Sequence, residues 1–146
     1  MNIWIVKSKD VNETSVEIHC QEETEQVKRL KKHIEGYEER IQGKCDGQIM
    51  YVDTQDILYF ESVDQTTFLY TKDKVLSTNY RLYELEKILE ETTFFRCSKS
   101  VIVNVKKIVT LRPEITRNIL ATLCNEEVIV ISRRYVAAFR KLIDKS

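Results

Sequence analysis

Short apolar runs separated by polar turns most strongly limit what this chain can fold into. From Gly47 onward these runs are rich in isoleucine, valine, tyrosine and phenylalanine, which favour strands. With about nine short strands along the whole chain, the pattern predicts a mainly-β fold with short helices and excludes a helical bundle. The strands predicted from Gly47 onward, apart from the segment 94–104 discussed below, are 48–52, 57–62, 68–71, 75–77, 106–112, 119–123 and 128–131.

The N-terminal part carries a different pattern. Segments 2–7 and 15–20 are short apolar or alternating runs, which predict two strands joined by a turn. Residues 22–42 then place apolar side chains at helical spacing, and Gly43 provides a stop signal. Such a helix packs either on the two strands or on a second copy of the chain. Its apolar stripe consists of Val27, Leu30, Ile34, Tyr37 and Ile41.

Two further helices are predicted nearer the C-terminus. Arg81–Glu91 has its leucines on one face and four glutamates elsewhere, so we expect it to brace the sheet and not to approach an anion. Thr78 or Asn79 precedes it as a candidate N-cap. Ser132–Ile143 closes the chain as a short amphipathic helix.

The overall composition is that of a globular domain. Of 146 residues, 42% are hydrophobic and 32% charged, which is enough for one domain with its own core. No apolar run approaches the roughly 18 residues of a membrane span, and the N-terminus is charged too early for a signal peptide. We therefore expect a cytoplasmic protein.

The charge is unevenly distributed along the chain. Residues 1–91 hold 12 Lys and Arg against 19 Asp and Glu, a net charge of −7. Residues 92–146 hold 11 against 4, a net charge of +7. This asymmetry indicates an anionic partner for the basic part, or else attraction between the two parts within the fold.

The four cysteines are scattered without a CxxC motif or a Cys–His cluster, which speaks against a metal site. They are Cys20, Cys45, Cys97 and Cys124. We expect them to be reduced and mostly buried. A redox-sensing thiol is the alternative for Cys97 alone, because it lies beside basic residues.

Catalysis has little support. The two histidines lie in a predicted strand and in a charged helix, and three glycines leave little material for a phosphate loop. No HExxH motif or nucleophile elbow is present. The nearest candidates for paired carboxylates fall at predicted strand ends and turns, namely Asp53, Asp56, Glu61 and Asp64. We predict a non-enzyme that needs no cofactor.

The segment Phe94–Asn104 combines apolar ends with a polar, basic middle. Two aromatic residues open it and Val101–Val103 closes it, so both ends should anchor in a core. The residues between them, which include Lys99 flanked by two serines, should then be held on a surface loop. A cation between two hydroxyls suits an anionic partner.

The start of the C-terminal helix is unusual. Ser132 is a suitable N-cap, yet Arg133 and Arg134 occupy the first turn, where the helix dipole opposes cations. Backbone N–H groups, a hydroxyl and two guanidiniums at a helix start form a phosphate site, and arginine can read guanine edges. The alternative is a local ion pair with Glu126 or Glu127.

Several of these segments together resemble the LytTR DNA-binding domain. Phe95–Asn104 is similar to its phenylalanine-arginine, basic-serine and valine-asparagine signature. Ile57–Ser62 resembles its strand ending in glutamate, Tyr80–Glu86 its helix start, and Ile131–Tyr135 its terminal serine-arginine-arginine-tyrosine. The resemblance covers about residues 47–143 in the family's order.

The resemblance implies an elongated stack of small antiparallel sheets with short helices, which reads double-stranded DNA by loops in successive major grooves. By position, Lys99 and Arg134 are the expected base readers, and Ser100 and Ser132 the expected phosphate contacts. The family's commonest form has histidine-arginine-serine where this chain has Ser98-Lys99-Ser100, and lysine lacks the planar fork of arginine. The other expected contacts are Ser98, Arg133 and a third reading point at Thr66.

The family also suggests how the chain is organised. We expect a DNA-binding domain at 47–146, preceded by an extension at 1–46 that contacts a partner or a second copy. Many relatives carry a phosphoacceptor domain, for which 46 residues are too short, so we expect no control by phosphorylation. Some stand-alone relatives are restrained by a small membrane protein.

These features favour a transcription regulator that binds promoter direct repeats, as a homodimer or in tandem. One alternative is a module that binds an anionic ligand or protein. Another is an interaction protein held by a membrane partner through its N-terminal segment.

Overall fold

Antiparallel pairing joins ten strands into two sheets. The computed structural model describes residues 1–35, 39–90 and 92–144. The helices in these ranges are α1 (Glu25–Glu35), α2 (Leu82–Ile88) and α3 (Arg133–Asp144). The strands are β1 (Arg40–Cys45), β2 (Gln48–Asp53), β3 (Ile57–Val63), β4 (Thr66–Thr71), β5 (Val75–Thr78), β6 (Phe94–Arg96), β7 (Val101–Asn104), β8 (Ile108–Pro113), β9 (Ile119–Leu123) and β10 (Val128–Ile131). The predicted mainly-β class with short helices is confirmed.

Seven strands form the larger sheet, in the order β2-β1-β5-β4-β3-β7-β6, and β10-β9-β8 form the smaller one. Phe60 on β3 lies opposite Leu69 on β4 and Ile102 on β7, and all three side chains are buried on one face of the larger sheet. Helix α2 covers this face with Leu82 and Leu85. The expectation that the second helix braces the sheet is therefore met.

The opposite face of the larger sheet packs on the smaller sheet and α3. Tyr59 and Val103 contribute from the larger sheet, Ala121 and Ile131 from the smaller one, and Phe139 from α3. Because side chains alternate along a strand, neighbouring residues of β3 and β7 enter two different cores. Around β3 and β7 the larger sheet is thus a middle layer with both faces covered, whereas Ile49 and Tyr51 on β2 remain exposed.

The turn between β3 and β4 is tighter than the gap between the predicted strands 57–62 and 68–71. Asp64 and Gln65 alone form it, both with positive φ (49° and 67°), and Val63 pairs with Thr66. A two-residue turn with this geometry matches the right-handed twist of the strands it joins. Thr66 therefore begins β4.

The N-terminal prediction is wrong in two respects. No strand occurs within residues 1–24, so segments 2–7 and 15–20 are unpaired in the described part of the chain. The first helix also ends earlier, because Ile41 and Gly43 belong to β1, which pairs with β2 and β5. Tyr37 lies outside the described residues.

Sheet pairing explains why β1 is not helical. Ile41 is buried in the core beneath α2. A Cβ atom on Gly43 would lie only 3.0 Å from the Leu76 Cβ atom, so glycine permits β5 to approach closely. The remaining stripe residues of α1, Val27, Leu30 and Ile34, are half-buried.

Within the described ranges, no helix has the length and apolar character needed to cross a membrane.

A hydrogen bond joins the two sheets directly. The Tyr59 hydroxyl donates to Glu127 Oε2 at 2.6 Å, and the Tyr59 ring stacks on Tyr70 with centroids 4.3 Å apart. Burial, followed by the bond to Glu127, raises the pKa of Tyr59 above its ordinary value. The phenol is therefore a neutral donor to the carboxylate at physiological pH.

We expect Tyr59→Phe to lower the free energy of unfolding by about 1 kcal/mol, because it removes a partly buried bond to a charged acceptor. Urea denaturation of the single variants Tyr59→Phe and Glu127→Ala and of the double variant measures the coupling between the two side chains. The double variant should lose clearly less than the sum of the two single losses. Strictly additive losses would show that the bond does not stabilise the packing of the sheets.

Candidate nucleic-acid interface

The loop that carries Lys99 continues the pairing of β6 and β7. Cys97 N donates to Val101 O at 3.0 Å and closes the hairpin. Ser62 N donates to Ser100 O at 2.8 Å, which ties the loop to the end of β3. Lys99 and Ser100 are exposed and Ser98 is half-buried. The predicted surface loop between apolar anchors is therefore present.

Arg96 holds this loop from the inside. Its Nε donates to Ser98 O at 2.7 Å, and its Nη2 donates to Lys99 O. Nη1 pairs with Glu86 on α2, and only 22% of the Arg96 side chain is exposed. Because its guanidinium is occupied by these bonds, Arg96 positions the loop and does not extend from it.

Arg81 plays the same part for the β3–β4 turn. Its Nη1 donates to Gln65 O at 2.9 Å, and its backbone N–H donates to Glu84 Oε1 at 3.0 Å at the start of α2. Arg81 itself is the N-cap residue, so the expected caps Thr78 and Asn79 are wrong. Helix α2 thus supports both the turn and the Lys99 loop.

The start of α3 is bonded to the same loop. Ser132 N donates to Cys97 O at 2.8 Å. Arg133 N donates to Asn118 Oδ1 at 2.9 Å, so the amide of Asn118 takes the capping role expected of the Ser132 side chain. No protein partner binds the Ser132 hydroxyl within the described residues, which leaves it available to a ligand.

Arg133 and Arg134 are exposed. Neither forms an ion pair with any described residue, and Glu127 instead accepts hydrogen bonds from Tyr59 and Asn125. A local ion pair with Glu126 or Glu127 is therefore wrong as an explanation for these arginines.

The loops that carry the predicted contact residues lie at one end of the central strands of the larger sheet. β3 ends where β4 and β7 begin, so the Asp64–Gln65 turn and the Lys99 loop are neighbours. The bond from Ser132 to Cys97 adds the start of α3 to them. We call this set the reading edge; it consists of Thr66, Ser98, Lys99, Ser100, Ser132, Arg133 and Arg134.

Sequence reasoning missed the residues that hold this edge together. The helix predicted at 81–91 gives Arg81 no role beyond its first residue, and Asn118 falls between the predicted strands 106–112 and 119–123. Arg96 lies within the predicted segment 94–104, and its bonds show a structural role. Periodicity carries no signal for such side-chain bonds, and those of Arg81 with Gln65 O and of Asn118 with Arg133 N also join residues distant along the chain.

Cys97 does not fit the redox-sensing hypothesis. The side chain is fully buried, and burial raises the pKa of its thiol to about 12. At neutral pH it is therefore an unreactive, protonated thiol. The expectation of mostly buried cysteines is also wrong, because Cys20 and Cys124 are exposed and Cys45 is half-buried.

Comparison with known proteins gives consistent matches. The family model of the LytTr DNA-binding domain matches residues 47–144. The transcriptional regulatory protein YpdB of Escherichia coli (strain K12) is 30% identical over 99 residues, which cover 67% of this chain and 41% of that protein. The chain therefore spans about two fifths of that relative's length.

A second relative matches nearly end to end. An uncharacterized HTH-type transcriptional regulator of Staphylococcus aureus (strain NCTC 8325) is 26% identical over 143 residues, covering 97% of this chain and 95% of that protein. Among solved structures, the LytTr DNA-binding domain of a Bacillus cereus protein has a TM-score of 0.68 and 29% identity. This match covers 71% of this chain and 95% of the Bacillus cereus chain.

The two internal arginines provide a test of how the loops are held. Arg96→Ala should loosen residues 98–100 and leave the turn at 64–65 ordered. Arg81→Ala should loosen the turn and leave residues 98–100 ordered, because each variant removes bonds to one loop only. Backbone order parameters from NMR relaxation should fall from about 0.85 towards 0.6 at the affected loop. Each variant is the other's control, and a loss of order at both loops in either variant would contradict separate support.

Proposed function

Because this chain belongs to the LytTr DNA-binding domain family, we propose that it reads promoter DNA through loops placed in successive major grooves. The chain is a DNA-binding regulator with bacterial relatives. The proposal that loops read successive major grooves rests on the geometry of the reading edge. A backbone hydrogen bond between Ser132 and Cys97 brings two cationic segments to one surface although they are distant in sequence.

Each candidate contact has a role that its chemistry suits. Lys99 and Arg134 extend into solvent and can donate to the acceptor-rich edge of guanine in the major groove. Ser100 and Ser132 lie beside the backbone bonds that fix the edge, where hydroxyls suit phosphate contacts. The remaining proposed contacts are Ser98, Thr66 and Arg133.

The internal support of the loops favours binding without phosphorylation. Arg81 and Arg96 hold both loops through hydrogen bonds of the unmodified chain, so no added phosphate is needed to order them. We accordingly propose a cytoplasmic regulator whose unphosphorylated form binds DNA.

The part of the chain before Gly47, of which only β1 belongs to the larger sheet, suits contact with another protein. Ile3, Trp4 and Ile5 are exposed and unpaired, and the stripe of α1 is only half-buried. We propose that residues 1–46 mediate homodimerisation, which would place two reading edges on direct repeats of the promoter. A small membrane protein that restrains the regulator through the same segment is the second candidate.

Selection of binding sites from random duplex DNA tests the reading edge. The wild type should enrich one sequence, and Lys99→Ala and Arg134→Ala should each lose preference at particular base pairs by about 1–3 kcal/mol. Lys72→Ala is the matched control, because Lys72 is exposed in the β4–β5 turn at the opposite end of β4 from Thr66. If no sequence is enriched, or if Lys99→Ala and Arg134→Ala select like wild type, the assignment is wrong.

Sedimentation velocity tests the dimer. Leu30→Gln in the stripe of α1 should shift the protein towards monomer, because it places a polar group in the proposed interface. Lys28→Gln on the exposed face is the control. A chain that begins at Gly47 is unsuitable for this test of dimerisation, because it lacks β1 and the buried Ile41. Unchanged sedimentation of Leu30→Gln would exclude the stripe as a dimer contact.

A further inference from the structure

Four arginines surround one open depression beside the start of α3. One comes from the turn between β8 and β9, and the other three come from α3. The depression has a volume of about 390 Å³ and is lined by Arg117, Arg133, Arg134, Val136, Ala137 and Arg140.

Hydrogen bonds attach the turn that carries Arg117 to the start of α3. Arg117 has a left-handed φ of 71°, and its backbone N–H donates to Glu114 O at 3.0 Å. Glu114 N donates to Asn118 O at 2.9 Å, which closes the turn. Since Asn118 Oδ1 also accepts from Arg133 N, the turn and the start of α3 form one unit.

The helix sets the spacing of the other arginines. Arg133 and Arg140 are seven residues apart, which is about two helical turns and roughly 10 Å along the axis on the same face. Phe139 points the other way, into the core shared with the smaller sheet. Val136 and Ala137 form an apolar floor between the two arginines, on which their alkyl stems can rest.

No ion pair within the described part of the chain neutralises the four guanidiniums. None of them forms an ion pair with residues 1–35, 39–90 or 92–144, and all four residues are exposed. Like charges that line one depression repel one another, so a bound anion would stabilise this surface. Guanidinium binds phosphate through two parallel hydrogen bonds.

We propose that Arg117 and Arg140 extend the reading edge as a phosphate-binding surface for the DNA backbone. The inference rests on the proposed function and adds two residues to it. DNA is favoured over other polyanions because the depression is continuous with Arg134 and the start of α3. Phosphates follow one another every 3.4 Å of axis along one strand, so a row roughly 10 Å long contacts more than one of them. These contacts position the protein and carry no base preference.

The salt dependence of binding tests this surface. The affinity of the full chain is measured between 50 and 200 mM salt on the selected duplex and on a random duplex, for wild type and Arg117→Gln/Arg140→Gln. Each phosphate contact contributes about 0.9 to the magnitude of the slope of log affinity against log salt. The slope measured for the double variant should therefore be smaller in magnitude by about 1.8 on both duplexes. At 0.1 M salt this corresponds to a loss of affinity on the order of 60-fold, with the ratio of specific to random binding unchanged.

Two control variants separate phosphate contact from general charge. Arg117→Lys/Arg140→Lys keeps the charge and should keep most of the slope. Lys72→Gln/Lys74→Gln removes the same charge from the exposed β4–β5 turn and should leave the slope unchanged. An equal loss of slope in the Lys72/Lys74 variant would overturn the proposal, as would a wild-type slope in Arg117→Gln/Arg140→Gln.

The same binding measurements distinguish DNA from other anions, and they separate a failure of this proposal from a failure of the proposed function. If the glutamine variant of the arginines keeps its DNA slope but loses binding to inorganic phosphate or to vesicles of anionic phospholipid, the surface serves that anion and the proposal is wrong. If wild type enriches no sequence, the reading edge fails as a reader. The slope on random duplex still decides whether Arg117 and Arg140 contact phosphate.

Discussion

Two backbone hydrogen bonds, Ser62 N to Ser100 O and Ser132 N to Cys97 O, determine the geometry on which the functional surface depends. The first extends the pairing of β3 with β7 into the Lys99 loop. The second attaches the start of α3 to the same hairpin. Because backbone groups form both bonds, side-chain changes at exposed positions can alter what the surface recognises without displacing the loops. This separation of support from recognition suits a fold that presents its contacts on loops.

Arginines divide between support and recognition according to their surroundings. The Arg96 guanidinium is mostly buried and donates to carbonyl oxygens of the Lys99 loop, and Arg81 donates to the neighbouring turn. Arg133 and Arg134 occupy the first turn of α3, where the helix dipole opposes cations by about 0.3–1 kcal/mol each when exposed. Neither arginine forms an ion pair with a described residue, and we propose that an anionic ligand offsets this unfavourable placement. Residue type alone does not distinguish the two roles.

The strand pattern was predictable where strands are amphipathic and short. Segments 48–52, 57–62, 119–123 and 128–131 were predicted within one residue of the observed strands, because alternation and β-branched residues report burial directly. The N-terminal segments at 2–7 and 15–20 have a similar composition but pair with no strand among the described residues, so the strands predicted there from composition are wrong. The first helix was overextended because Ile41 continued a helical spacing by coincidence, whereas its burial comes from sheet pairing.

The sequence by itself determined the fold class, the presence of a basic loop at Lys99 and the misplaced arginines at the start of α3, because these follow from local residue patterns. Only the tertiary structure decided which of these segments meet. It also decided that Asn118 caps α3, that Arg81 and Arg96 support loops, and that the Cys97 thiol is buried. The physical reason is that these features depend on particular hydrogen bonds and on packing, most of which join residues distant along the chain, such as Asn118 with Arg133 and Arg81 with Gln65. Local periodicity encodes neither the bonds nor the packing.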